Sequence, residues 1–283
     1  MKKVKIIADS TCDLSAELME KYEIKTFPLH IHMGNDEYLD GIDITPDDIY
    51  QWSDENKLTP KTSAISPAEA QKYMEEGLKE AEELICFTIS EKLSSTCSVM
   101  HMTAAMMGVE DRVYIIDSMN LSTGIALQII EAATMINKGY NASEIVEKIK
   151  AIQSKVKSSF VVDTLTYLHR GGRCNAVAAI AGNSLKLHPC IHVEEGKMDV
   201  GKFYRGKMNK VLKRYVDDMK PSLEQAKKDR VFITHSGCDR EVIDDIEKEL
   251  LLMGFHEVLI TRAGSVITSH CGPGTLGVLY IER

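Results

Sequence analysis

Short β-rich apolar runs alternate with stretches of helical composition along the first half of the chain. "KVKIIA", "ELICFTI" and "RVYII" predict strands. "SAELMEKY", "TPDDIYQWS", "SPAEAQKYMEEGLKEAEE", "STCSVMHMTAAMMG" and "LSTGIALQIIEAATMINKG" predict helices, and "IKTFPLHIHM" predicts a further extended segment. Start and stop signals sharpen three of the helices. Thr45 is placed as an N-cap with Pro46 at the first helical position, Ser66, Pro67 and Glu69 make a capping box, and Gly139 closes the long helix. Such β/α alternation predicts a mainly parallel sheet with helices on both faces, over residues 1–155.

After "NASEIVEKIKAIQSK" the pattern changes. "SSFVVDTLTYLHRGGRCN" leads into an alanine-rich segment, and "HPCIHVEEGKMDVGKFYRG" reads as a hairpin about a Glu-Gly turn. A charged amphipathic helix, the strand "RVFITHS", the helix "DREVIDDIEKELLLMG" and two terminal strands, "HEVLITRAG" and "SVITSHCG" running on to "GVLYIE", complete the chain. Residues 156–283 are therefore predicted to form a second α/β domain, with a mixed sheet. A length of 283 residues also favours two domains over one.

Composition removes several function classes. A net charge of −8 argues against a nucleic-acid binder, which neutralises phosphates with an excess of lysine and arginine. No apolar run approaches the length that crosses a bilayer, and "MKKVKIIADS" reads as a first strand rather than a signal peptide, so a cytoplasmic protein without stable membrane insertion is expected. Seven cysteines without a C-x-x-C pair fit reduced thiols better than a disulfide framework or a metal site.

Candidate chemistry gathers where predicted strands end. "KVKIIA" runs into Asp9-Ser10-Thr11, "ELICFTI" into Ser90 to Thr96, and "RVYII" into Asp117-Ser118; in a parallel sheet such turns share the carboxyl edge, where ligands of open α/β folds bind. Ser94, Ser95 and Thr96 also open a helix, whose first N–H groups favour an anion. Thr62 and Ser63, in the loop "TSAIS", add two hydroxyls. In "LHRGGRC", Arg170 and Arg173 flank two glycines that free the backbone to turn both guanidinium groups toward a carboxylate or phosphate. Four methionines, Met100, Met102, Met106 and Met107, suit either a core or an apolar pocket.

Gly272, Gly274 and Gly277 in "SHCGPGTLG" have dinucleotide-turn spacing, but no helix follows and the chain ends, so the segment reads instead as a tight turn between strands with His270 at its edge. A serine hydrolase or acyltransferase using Ser94 and His270 is an alternative, though nothing identifies an acid to orient the histidine. A kinase-like reading through covalent capture by a histidine has only His30 and His32 to draw on, in a predicted strand without an evident partner.

In order along the chain, "ADSTCDLS", "TSAISP", "ISEKLSST", "DSMNLSTG", "LTYLHRGGR", "HPCIHVEEGK", "YRGK" and "SHCGPGTLGV" resemble the DegV family of bacterial fatty-acid-binding proteins. The resemblance implies a non-catalytic two-domain α/β carrier that needs no cofactor. It would bury a long-chain fatty acid, hold the carboxylate at the domain interface, and present it to a fatty-acid kinase subunit for acyl-phosphate formation in phospholipid synthesis. The family's head-group threonine, serine and histidine match Thr62, Ser94 and His270, with Ser63, Ser95 and Gly272 beside them. Arg170, Arg173 and Arg205 would surround the head group or face the partner, Arg205 being assigned to the partner surface. The chain departs from the family pattern at Ser95 (glycine), Cys97 (tyrosine), Cys174-Asn175 (Ile-Ser) and His188 (lysine); Ser95 either crowds the carboxylate or adds a hydroxyl.

Overall fold

The computed structural model describes residues 2–174 and 187–283. The first part of the chain runs β1 (Lys2–Asp9), α1 (Ala16–Lys21), β2 (Lys25–Phe27), β3 (His30–Met33), β4 (Asp36–Leu39), α2 (Pro46–Asn56), β5 (Lys61–Ser63), α3 (Pro67–Glu80), β6 (Ala81–Thr88), α4 (Thr96–Met107), β7 (Val113–Asp117), α5 (Thr123–Asn137) and α6 (Ala142–Ile152). The second runs β8 (Val156–Val161), α7 (Thr166–Gly171), β9 (Leu187–Glu194), β10 (Lys197–Arg205), α8 (Met208–Glu224), β11 (Ala226–His235), α9 (Arg240–Leu252), β12 (Glu257–Arg262), α10 (Ser265–Cys271) and β13 (Leu276–Glu282). The predicted alanine-rich segment lies outside the described residues.

Three sheets result. β2-β1-β6-β7 is parallel throughout, and β4-β3-β5 is a small antiparallel sheet. The six-stranded sheet β10-β9-β8-β13-β11-β12 is mixed, with only β11 and β12 parallel. The fold is thus α/β, with the parallel and mixed sheets expected from the pattern. The alternation of side chains along the parallel strands explains helices on both faces: Ile6, Ile85 and Phe87 join one apolar cluster with α5 and α6, whereas Ile7, Leu84 and Cys86 join another with α3 and α4. Helix α5 is buried from Thr123 to Ala133 except at Glu131. Its cluster continues into Phe160, Phe232 and Leu279 of the six-stranded sheet, so α5 lies between the two large sheets, and an all-round apolar sequence is what that position requires.

Local signals are honoured at most boundaries. Thr45 and Asp48, and Ser66 and Glu69, form reciprocal capping boxes. The β9–β10 hairpin turns at Glu195-Gly196, both with positive φ.

Three expectations are corrected. "IKTFPLHIHM" breaks at Pro28 into β2 and β3, which belong to different sheets. Thr62 and Ser63 lie in strand β5, paired with Ile31 and His30 of β3, rather than in a loop. "SVITSHC" is helix α10 and not a strand. Its β-branched Val266, Ile267 and Thr268 favour a strand by propensity, but almost every residue is buried and the first backbone donors are met by carboxylates from distant parts of the chain, so tertiary contacts override the local preference.

Candidate functional site

At the carboxyl edge of the parallel sheet lies a cavity of about 260 Å³. Leu29 follows β2, Ile89 and Leu93 follow β6, and Leu121 precedes α5; Met198 of β10 and Val266, Ile267 and Cys271 of α10 add to the apolar wall. The polar lining is Thr62, Ser63, Ser94, Ser95, Arg173 and His270. A second, smaller void of about 30 Å³, whose lining includes Phe160 and Leu279, shares Leu121, Ile267 and Cys271 with the first.

β5 and α10 bring the two principal polar groups together. His270 Nε2 lies 2.8 Å from Thr62 Oγ1. The Nδ1 of His270 is buried and, among the described residues, meets no hydrogen-bond partner. Burial first, and the Arg173 charge second, push His270 down to about 4, so the imidazole is neutral at physiological pH. Ser63 Oγ lies 2.9 Å from His32 Nε2, and His30 Nε2 lies 3.1 Å from Glu69, so both strand histidines have partners that the sequence did not reveal.

The Ser94 hydroxyl lies 2.9 Å from Thr96 Oγ1 and accepts from the Thr96 N–H. Ser95, the N-cap of α4, makes no side-chain capping bond. The start of α4 therefore borders the cavity without a bond from its own N-cap side chain, and the positive end of the helix there favours an anion. Of the three strand-end turns expected to pool hydroxyls, only that after β6 does so: Asp9 turns inward to Thr11 and the Ile89 N–H, and Ser118 bonds within its own turn.

The "RGGR" arginines do not converge. Arg170 is exposed in the last turn of α7 and does not line the cavity, whereas Arg173 does, donating also to the Gly171 carbonyl at 2.8 Å. Gly171 has a second use: it is the point where α7 packs flush on His270, while Gly172, with φ 66, ends the helix ahead of Arg173. Gly272 does not line the cavity either; it faces the Tyr167 ring, where an added Cβ would come within 2.5 Å. Arg205 is exposed on β10 beside Arg214, in a separate surface groove. Of the four methionines, Met100 is core, Met102 and Met106 are exposed, Met107 packs against the core, and none borders the cavity. Sequence reasoning missed the apolar wall, because its residues come from separate segments that no local pattern connects.

Among the described residues nothing assembles a serine–histidine pair with an orienting acid. Nε2 of His270 meets Thr62 rather than Ser94, and among the described residues no carboxylate bonds Nδ1. What the arrangement builds is a slim apolar chamber with neutral donors and, among the described lining residues, one arginine at its polar end.

A family model described as "Uncharacterised protein, DegV family" matches residues 3–283. A DegV domain-containing protein of Clostridium acetobutylicum is 31% identical over 292 residues, covering 100% of both chains. A solved DegV family protein from Thermus thermophilus, described for its fatty acid binding, superposes with a TM-score of 0.90 at 28% identity, over 99% of this chain and 100% of that one. A stearic acid-binding protein from Eubacterium ventriosum gives a TM-score of 0.85 at 27% identity, over 100% of this chain and 98% of that one. With a match that runs from residue 3 to the last residue, the chain belongs to the DegV family.

Proposed function

We propose that this protein binds a long-chain fatty acid, its acyl chain in the cavity beside α10 and its carboxylate at Thr62, Ser94 and His270. The observation that carries this reading is the meeting of Thr62 and His270 beside Ser94 at the polar side of a cavity whose remaining wall is largely apolar. Solved relatives described as fatty acid-binding support it. Burying about 14 methylenes at ~0.8 kcal/mol each gives on the order of 10 kcal/mol gross, enough for tight binding after ordering costs. The acyl chain runs from the larger void toward the smaller one through the residues they share.

The head group is held by a relay. An orphaned buried acceptor is tolerated better than an orphaned buried N–H, which assigns the proton of His270 to Nε2. Nε2–H then donates to Thr62 Oγ1, and the Thr62 hydroxyl points its own proton at the carboxylate. Ser94 donates a second hydrogen bond and Arg173 supplies the compensating charge.

The same reading treats residues 1–155 and 156–283 as two domains with the ligand between them, in a non-catalytic cytosolic carrier. Arg170 and Arg205, both exposed, belong to a surface that offers the carboxylate to a fatty-acid kinase. Titration of delipidated protein with palmitate and with hexadecanol tests the head-group assignment. Tighter binding of the acid is expected; equal affinities, or binding of neither, refute it.

A further inference from the structure

Helix α10 carries His270 yet has no cap of its own. Its N-cap is Gly264, it is only seven residues long, and three of those are β-branched. Such a helix does not hold itself together. Its first donors are met from far along the chain: the Gly264 N–H donates to Asp13 Oδ1 and the Ser265 N–H to Asp40 Oδ1, each at 2.8 Å. Asp13 lies beyond β1 and Asp40 directly after β4, so both carboxylates reach α10 from the sheets that also carry Thr62 and support the Ser94 turn.

The carboxylates are themselves held. Ser122 Oγ is hydrogen-bonded to Asp13 Oδ2 at 2.5 Å from a residue with φ 51 and ψ −141, and Asp13 has φ 51. Non-glycine residues rarely occupy these regions unless their surroundings enforce it. Position 264 must also be small, since an added Cβ would stand 3.1 Å from Asp13 Oδ1 and 3.3 Å from Asp40 Oδ1. At the far end of the helix, Ser236 Oγ donates to the Gly272 carbonyl at 2.5 Å and Thr275 Oγ1 to the Cys271 carbonyl at 3.0 Å. Both ends of α10 are thus tied by side chains outside it, and neither rotation nor sliding is possible without breaking buried hydrogen bonds.

We propose that Asp13 and Asp40 are positioning residues: by capping α10 in trans they set its rotation and height, so that His270 Nε2 falls within hydrogen-bond reach of Thr62 Oγ1. The proposal deepens the head-group reading and rests on it for its consequence in ligand binding. For the geometry of His270 it stands alone.

Two readouts on folded protein separate this role from simple support of the fold. The first is the imidazole ¹⁵N resonances of His270 in ligand-free protein, with Thr62→Val as the reference for a lost Nε2 hydrogen bond. The second is affinity for palmitate and for hexadecanol, which share a chain and differ in head group. In Asp13→Ala and Asp40→Ala the His270 resonances are expected to move toward those of Thr62→Val, with palmitate affinity falling about tenfold and hexadecanol affinity changing by less than roughly twofold. Gly264→Ala, whose backbone conformation suits alanine, pushes on the same two carboxylates and is expected to move His270 in the same direction even if the aspartate variants do not fold. Unmoved His270 resonances in the folded variants overturn the proposal, as does an equal loss of acid and alcohol binding. If the wild-type protein binds neither probe, the head-group reading fails, and the resonances alone decide the clamp.

Discussion

Gly171 and His270 touch so closely that a Cβ on the glycine would lie 2.3 Å from the imidazole Nδ1. Gly171 ends α7 without a left-handed backbone, so alanine there brings no backbone strain and its effect on function comes from displacing the ring. Gly171→Ala is expected to leave the protein folded and to weaken fatty-acid binding about tenfold or more, measured by calorimetric titration. Unchanged affinity would mean that the ring position does not matter.

Thr62→Val keeps the shape of the side chain and removes its hydroxyl. The His270 Nε2 loses its partner and the carboxylate a donor. Palmitate affinity is expected to fall by about 1.5–3 kcal/mol, the worth of a hydrogen bond to a charged group, and Ser94→Ala is expected to do the same. Neither change should weaken hexadecanol binding comparably.

Gly272 has φ 74, and an added Cβ would meet the Tyr167 ring at 2.5 Å. Gly272→Ala therefore combines backbone strain with a clash and is expected to destabilise the protein by about 1–3 kcal/mol. A lowered thermal midpoint checks this. Gly139→Ala, where an added Cβ meets nothing within 4 Å despite a φ of 85, isolates the backbone contribution.

Stability responds to pH with two opposing slopes. Burial, with Asp40 and Asp9 adding to it, outweighs the hydrogen bonds from Ser122 and Gly264 and pushes Asp13 from 3.8 up to about 8. The folded protein then holds a proton that the unfolded chain has released, so this contribution is complete below pH 3.8 and is lost as pH rises through about 8. His270 is depressed from 6.5 to about 4, so its contribution is present above pH 6.5 and is lost as pH falls through about 4. Asp13→Asn is expected to flatten the fall of the thermal midpoint with rising pH between about 4 and 8. An unaltered slope would show that Asp13 is not its source.

Legibility in the sequence followed the range of the interactions. The capping boxes at Ser66 and Asn141 and the turn at Glu195-Gly196 are settled by residues within a few positions of one another, and the boundaries at Ser66 and at the Glu-Gly turn were read from the sequence accordingly. "SVITSHC" was not legible as a helix, because the groups that cap it, Asp13 and Asp40, stand 251 and 225 residues before the donors they meet. Thr62, Ser94 and His270 were recognisable as family motifs, and they do border one cavity. That Arg170 turns away while Gly171 seats the imidazole depends on how α7 packs against α10, a contact that spacing along the chain does not encode.

Native mass spectrometry of the protein purified without added lipid tests the fatty-acid reading most directly. A species heavier by the mass of one long-chain fatty acid, released as free acid on denaturation, is expected, and its occupancy should drop in Thr62→Val. A protein that carries no such mass, and acquires none after incubation with palmitate, would contradict it.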